Sequence, residues 1–145
     1  MLIYLKDDTL SCMQQIIEIR STGHKIKGRG VFALKDFKKD EIIENCPVIV
    51  FTPKERIILE KTYLNYYIYP WRSTRSAALA FGFGSIYNHS FEPNADWKQN
   101  FKTGSMVYKA IRPIRKGEEI VVNYNGEPDD KKPVDWLEDG KPRKF

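Results

Sequence analysis

Asn88-His89-Ser90-Phe91-Glu92-Pro93-Asn94 decides how the rest of the chain is read. It sets polar side chains between an apolar stretch and a proline turn, where folding alone would favour apolar residues. In isolation it reads as an Asx-type turn, or as a chance N-x-S glycosylation sequon. Upstream, Lys27-Gly28-Arg29-Gly30-Val31-Phe32 is a glycine-bracketed turn feeding a strand. Its glycines permit positive φ and let a backbone approach a ligand closely. The segment matches neither G-x-G-x-x-G nor a P-loop, which argues against phosphate cradling. Downstream, Lys116-Gly117-Glu118-Glu119-Ile120-Val121-Val122-Asn123-Tyr124 is a charged turn launching an apolar strand that ends in a tyrosine. By itself Tyr124 reads as a half-buried core residue.

The 145 residues suffice for one domain with a modest core. A hydrophobic fraction of 41% with 13% aromatics places the chain among globular rather than disordered sequences. The longest mostly apolar stretch, Ala77 to Tyr87, is too short to span a bilayer and is broken by Gly82 and Gly84. The opening MLIYLKDD reaches acidic residues before the apolar region of a signal peptide could develop. A soluble intracellular protein is expected, cytoplasmic, or nuclear in a eukaryotic host, with no membrane partner. Cys12 and Cys46 lie far apart, and with only His24 and His89 beside them no metal site is expected. The net charge of +5 comes from interspersed charges, so a solvated mixed surface is expected rather than a nucleic-acid partner.

Ile16 to Arg20, Val31 to Leu34, Glu41 to Phe51, Met106 to Ile111 and Glu119 to Tyr124 read as strands. Pro47 suits an edge or a bulge better than a central ladder position. Thr52-Pro53-Lys54-Glu55 supplies an N-cap, a proline in the first turn and an acidic first turn, predicting a short helix to about Thr62. Tyr63 to Trp71 is expected to be extended, and Arg75 to Phe81 to form a helical turn or two on its alanines and leucine. Ala33 to Glu41 and Ala110 to Glu118 echo each other, each a charged turn about one apolar anchor, Phe37 or Ile114. From Glu127 onward the chain reads as an irregular tail pinned by Trp136.

Taken together and in this order, the three motif segments resemble the signature of SET domains. These show G-x-G-[VLI]-[FY], then N-H-S-x-x-P-N, then G-E-E-[IL]-x-x-x-Y. The resemblance covers about residues 16 to 125, and it implies a mainly β fold of several short curved sheets with a pseudoknot and one or two short helices. It divides the chain into a SET domain over 1–126 and a C-terminal closing segment over 127–145. It also implies a protein-lysine N-methyltransferase using S-adenosylmethionine and releasing S-adenosylhomocysteine, with a protein or peptide lysine as substrate. Carried over by motif, Gly28, Arg29 and Gly30 meet the cofactor, the latter two through backbone groups. Asn88 holds its methionine portion, the His89 backbone meets the adenine edge, and Tyr124 is the catalytic tyrosine.

Such chemistry calls for a particular lining. Presenting a neutral lysine amine at pH 7 costs about 4–5 kcal/mol. An apolar aromatic channel favours the neutral form, whereas a carboxylate beside the amine would oppose it. Trp97, just past the central motif, and Tyr66 and Tyr69 within the Tyr63–Tyr69 cluster are the candidate channel residues. Trp136 is the candidate lid over the adenine. The sequence also departs from many SET domains. Cys46-Pro47 stands where a channel tyrosine is common, Asn123 where aspartate is common and Val122 where phenylalanine is common. The cysteine-rich closing segment of histone-directed members is missing. A catalytically weak SET module that binds a peptide partner, and a small basic nucleic-acid-binding domain, are the competing functions.

Overall fold

The computed structural model describes residues 15–25 and 27–134, so Cys12 and Trp136 lie outside the described residues. Strands β1 (Ile17–Ser21) and β2 (Arg29–Ala33) form a hairpin. Strand β3 (Ile42–Phe51) leads into helix α1 (Pro53–Leu59) and a 3₁₀ turn over Tyr63–Tyr66. Strands β4 (Ile68–Trp71), β5 (Ser73–Ala80), β6 (Asn88–His89), β7 (Ala95–Asn100), β8 (Ser105–Ala110) and β9 (Glu119–Val122) complete the order. They build a four-stranded sheet in the order β1-β2-β9-β6 and a five-stranded sheet in the order β4-β5-β3-β8-β7. The mainly β architecture of short sheets expected from the sequence is the architecture observed.

The expected helical turn at Arg75 to Phe81 is corrected: this stretch is β5. Val48 to Phe51 pair with Ala77 to Ala80, and Ile68 to Pro70 pair with the other edge of the same strand. Two ladders outweigh the helix preference of alanine, which amounts to only tenths of a kcal/mol per residue. The small side chains of Ala77, Ala78 and Ala80 are buried between neighbours that a larger residue would push apart. Tyr63 to Trp71 is likewise only half extended. Thr62 caps a 3₁₀ turn by accepting Leu64 N–H, and β4 begins at Ile68. Helix α1 stops at Leu59, with Glu60 as its C-cap, instead of reaching Thr62. The start of α1 is as expected: Thr52 and Glu55 form a reciprocal capping box with Pro53 in the first turn.

Pro47 lies in the central strand of the five. Ile42 to Pro47 pair with β8, and Val48 to Phe51 pair with β5. Pro47 therefore sits at the hand-over between two partners, where its missing N–H interrupts the middle of neither ladder.

Two connections place the functional segments. Phe37 and Ile114, anchors of the two echoing turns, form an antiparallel bridge and are both buried. That bridge brings β9 back beside β2. On the other edge of β9, β6 pairs in parallel, Asn88 opposite Val121 and His89 opposite Val122. The buried Asn94 amide donates to Glu119 O (2.8 Å) and accepts Val121 N–H (2.9 Å). The 88–94 segment thus grips β9 at both ends, as the pseudoknotted arrangement of the resemblance requires.

Candidate active site

The glycine turn, the central motif and the end of β9 converge. Gly28 has φ of 67°, a conformation that glycine takes without the penalty of a Cβ. Gly30 serves close approach: a methyl group there would lie 2.4 Å from Glu119 Oε1 and 2.8 Å from Asn88 Nδ2. Asn88, buried, donates its amide to Arg29 O at 2.9 Å and to Glu119 Oε1 at 2.7 Å. Gly28, Arg29, Gly30, Asn88 and His89, expected together from motifs far apart in sequence, are brought to one place by β6, β9 and β2. Backbone groups and one carboxamide converge here. With both amide hydrogens donated, Asn88 offers its Oδ1 as an acceptor for an ammonium group, and main-chain groups suit an adenine edge, so these residues fit S-adenosylmethionine.

Tyr124 lies two residues beyond the end of β9 and is fixed at both ends. Its N–H donates to His89 Nδ1 (3.1 Å), and its hydroxyl donates to Tyr87 O (2.7 Å). Its ring stands 5.3 Å from the His89 ring and helps to line a cleft of about 310 Å³. Tyr66, Tyr67, Tyr69, Ser85, Asn125 and Val134 share that lining, and among the described residues its only charged side chain is Arg56. Tyr66 and Tyr69 thus stand with Tyr124, as expected from the sequence. Trp97 does not line the cleft. It meets Tyr69 edge-on at 4.9 Å and donates its indole N–H to Asn123 O at 3.0 Å, backing the cleft wall from behind.

The wall is built on one main-chain atom that sequence reasoning did not single out. Gly84 O accepts the hydroxyls of both Tyr69 and Tyr108, each at 2.8 Å. Glu44 holds the turn carrying Gly84, accepting Phe83 N–H (3.0 Å) and the Tyr87 hydroxyl (3.1 Å). The available signals were the Gly82-Phe83-Gly84 run just ahead of the central motif and an acid inside a largely apolar strand. Burial holds the phenols of Tyr69, Tyr87 and Tyr108 protonated; Tyr124 adds to this at Tyr69 and Glu44 at Tyr87. Cys46, where a channel tyrosine is common, is a buried thiol whose pKa is raised by burial and then by Glu44. Burial and then Lys27 lower the pKa of His89.

Asn123, another departure, organises the chain beyond β9. Its amide donates to Asp130 O (2.6 Å), its Oδ1 accepts Asn125 N–H (3.0 Å), and Asn125 donates to Lys132 O (2.9 Å). An aspartate could not make the first of these bonds. The tail is thereby folded back so that Val134 is buried in the cleft wall. Trp136, the expected lid, lies outside the described residues. Among the described residues no cluster of His, Cys, Asp or Glu is placed to hold a metal ion. No helix there is long and apolar enough to cross a membrane.

Comparison with known proteins agrees with this geometry. The H3 lysine-37 specific histone-lysine N-methyltransferase of Schizosaccharomyces pombe is 38% identical over 109 residues, covering 74% of this chain and 72% of that protein. A crystal structure from Plasmodium falciparum, of a protein named as a histone methyltransferase, superposes with a TM-score of 0.62 at 32% identity. That match covers 77% of this chain and 95% of the other. The ctPRC2 complex in an autoinhibited conformation bound to S-adenosylmethionine shares the fold at 18% identity with a TM-score of 0.65. There the match covers 76% of this chain and 15% of the other. The family model of the SET domain matches residues 28–125, and the chain belongs to the SET-domain family.

Proposed function

We propose that the protein is an S-adenosylmethionine-dependent protein-lysine N-methyltransferase. The observation that carries this reading is Tyr124, fixed at its N–H and hydroxyl by the segment around the central motif. Its ring faces an aromatic cleft with no carboxylate among the described lining residues. The names of the Schizosaccharomyces pombe relative and of the Plasmodium falciparum structure, both lysine or histone methyltransferases, support the same chemistry.

In this reading Asn88 holds the methionine portion of the cofactor, and backbone groups of Arg29, Gly30 and His89 meet the rest, with Gly28 shaping the turn. When bound there, S-adenosylmethionine supplies an activated methyl group and is converted to S-adenosylhomocysteine. The chain's own residues prepare the acceptor. Tyr66, Tyr67, Tyr69 and Tyr124 surround the lysine with rings and neutral oxygens, and Arg56 adds positive charge, so the neutral amine is favoured. The Tyr124 hydroxyl, donating to Tyr87 O, turns its lone pairs away from that carbonyl and orients the amine for in-line attack. Trp97 keeps Tyr69 in place from behind. In this reading 1–126 is the SET domain and 127–145 the closing segment, whose described part reaches the cleft at Val134; Trp136 lies outside the described residues. The burial of Val134 beside Tyr124 supports that course of the chain. A protein lysine is the substrate, and S-adenosylmethionine the methyl donor.

The test is incubation of wild type and Tyr124→Phe with labelled S-adenosylmethionine and a proteome extract, followed by mapping of labelled lysines. Lysine labelling by wild type and its loss in Tyr124→Phe are expected. Cofactor binding with no lysine labelled by wild type would instead favour a catalytically weak peptide-binding module.

A further inference from the structure

We infer that the His89 imidazole, beyond its backbone, is a positioning residue that sets where Tyr124 stands; this rests on the reading of Tyr124 as catalytic. The β6–β9 ladder ends at the pair His89–Val122. Tyr124 lies beyond it, and among the described residues no strand accepts its N–H. Side chains take over there. Trp97 donates to Asn123 O, Asn123 Oδ1 accepts Asn125 N–H, and His89 Nδ1 accepts Tyr124 N–H at 3.1 Å. The ring is held for this task, edge-on to Phe91 at 4.5 Å and tilted against Tyr124 at 5.3 Å.

The bond dictates the chemical state of the ring. A nitrogen that accepts carries no proton, so Nδ1 is bare and the proton of neutral His89 sits on Nε2. That Nε2 is buried without a hydrogen-bond partner among the described residues. Placing a proton on Nδ1 would set two donors face to face. The lowering of the His89 pKa by burial and Lys27 works in the same direction, keeping the ring neutral.

Two isosteric replacements separate the two nitrogens. Asparagine puts its oxygen near the place of Nδ1, whereas glutamine reaches the place of Nε2. A tenfold fall in kcat corresponds to about 1.4 kcal/mol, the scale of one lost hydrogen bond together with the consequent loosening of Tyr124. His89→Ala and His89→Gln are expected to lose about tenfold or more in kcat, with the cofactor dissociation constant by calorimetry changed far less. His89→Asn is expected to recover most of the loss. Equal defects in the Asn and Gln variants, or a defect confined to cofactor binding, would overturn the assignment. Nitrogen-15 NMR of the wild-type imidazole gives a readout independent of activity and of variant folding. The proton on Nε2 with bare Nδ1 is expected, and a proton on Nδ1 overturns the inference. A wild-type protein without transferase activity but with that tautomer would count against the enzymatic reading and leave the His89–Tyr124 contact standing.

Discussion

Phe37 and Ile114 hydrogen-bond to each other in both directions, Phe37 N–H to Ile114 O at 2.8 Å and Ile114 N–H to Phe37 O at 3.0 Å. Around them the two echoing turns repeat contact for contact. Glu41 accepts Lys38 N–H and pairs with Lys35; Glu118 accepts Arg115 N–H and pairs with Arg112. Asp40 N–H reaches Ala110 O at 2.8 Å, and Gly117 N–H reaches Ala33 O at 2.7 Å. Asp40 and Gly117 both have positive φ, 69° and 88°. The sequence echo is thus a local twofold, and its two halves are each other's partners.

Removing either anchor should damage both turns. Phe37→Ala is expected to cost about 3–5 kcal/mol and Ile114→Ala about 2–5 kcal/mol. Because the two side chains share one site, the double variant should cost less than their sum. Urea denaturation of the four proteins measures this; strict additivity would mean that the turns are energetically separate.

The acid limb of stability should depend on Glu118. Burial opposes its charge, but Arg112, Arg115 N–H and Asn94 together lower its pKa below 4.5. A carboxyl depressed in the folded state contributes stability that is complete above its unfolded pKa and is lost as pH falls through the folded value. Glu118→Gln should therefore melt lower than wild type at neutral pH and approach it as the pH falls below the ordinary glutamate value of about 4.3. Melting curves on either side of that value check the sign.

Gly30→Ala is expected to weaken binding of S-adenosylhomocysteine by about tenfold or more, equivalent to roughly 1.4 kcal/mol. Its methyl group would press on Glu119 Oε1 and Asn88 Nδ2 and displace the amide assigned to the cofactor. Calorimetry on Gly30→Ala and on Gly30→Ala/Glu119→Ala measures it. The second variant removes the closer clash and should recover part of the loss.

Asn123→Asp restores the residue common among SET domains, and it should still destabilise this one, by about 1–3 kcal/mol. The substitution removes the donor to Asp130 O and buries a carboxylate. Limited proteolysis should show cleavage within residues 125–134 before the rest of the chain.

How much of the fold and site was legible in the sequence depends on the range of each interaction. Gly30, Asn88 and Tyr124 could be read because each sits in a short motif whose spacing is local. The start of α1 could be read because Thr52, Pro53 and Glu55 act within one turn of helix. Ala77 to Ala80 misled because alanine's preference is local while the two ladders that claim the strand come from β3 and β4. Trp97 carried the right chemistry for a channel, yet the length of its reach to Asn123 O put it behind the wall. The contacts of Glu119, Tyr87 and Glu44 were not legible because they arise only when distant segments meet at Asn88, Tyr124 and Gly84.

The shared acceptor at Gly84 bears on how this cleft can change its clientele. Tyr69 of the cleft lining and the fully buried Tyr108 hang from a single peptide oxygen. No substitution deletes a peptide oxygen, so the peg survives whatever hangs on it. Tyr69 can be exchanged for phenylalanine while Tyr108 still marks the position, altering the polarity of the cleft without moving the frame. Lineages descended from such a chain could retune which side chain they admit in single mutational steps, each step leaving a folded ancestor behind it.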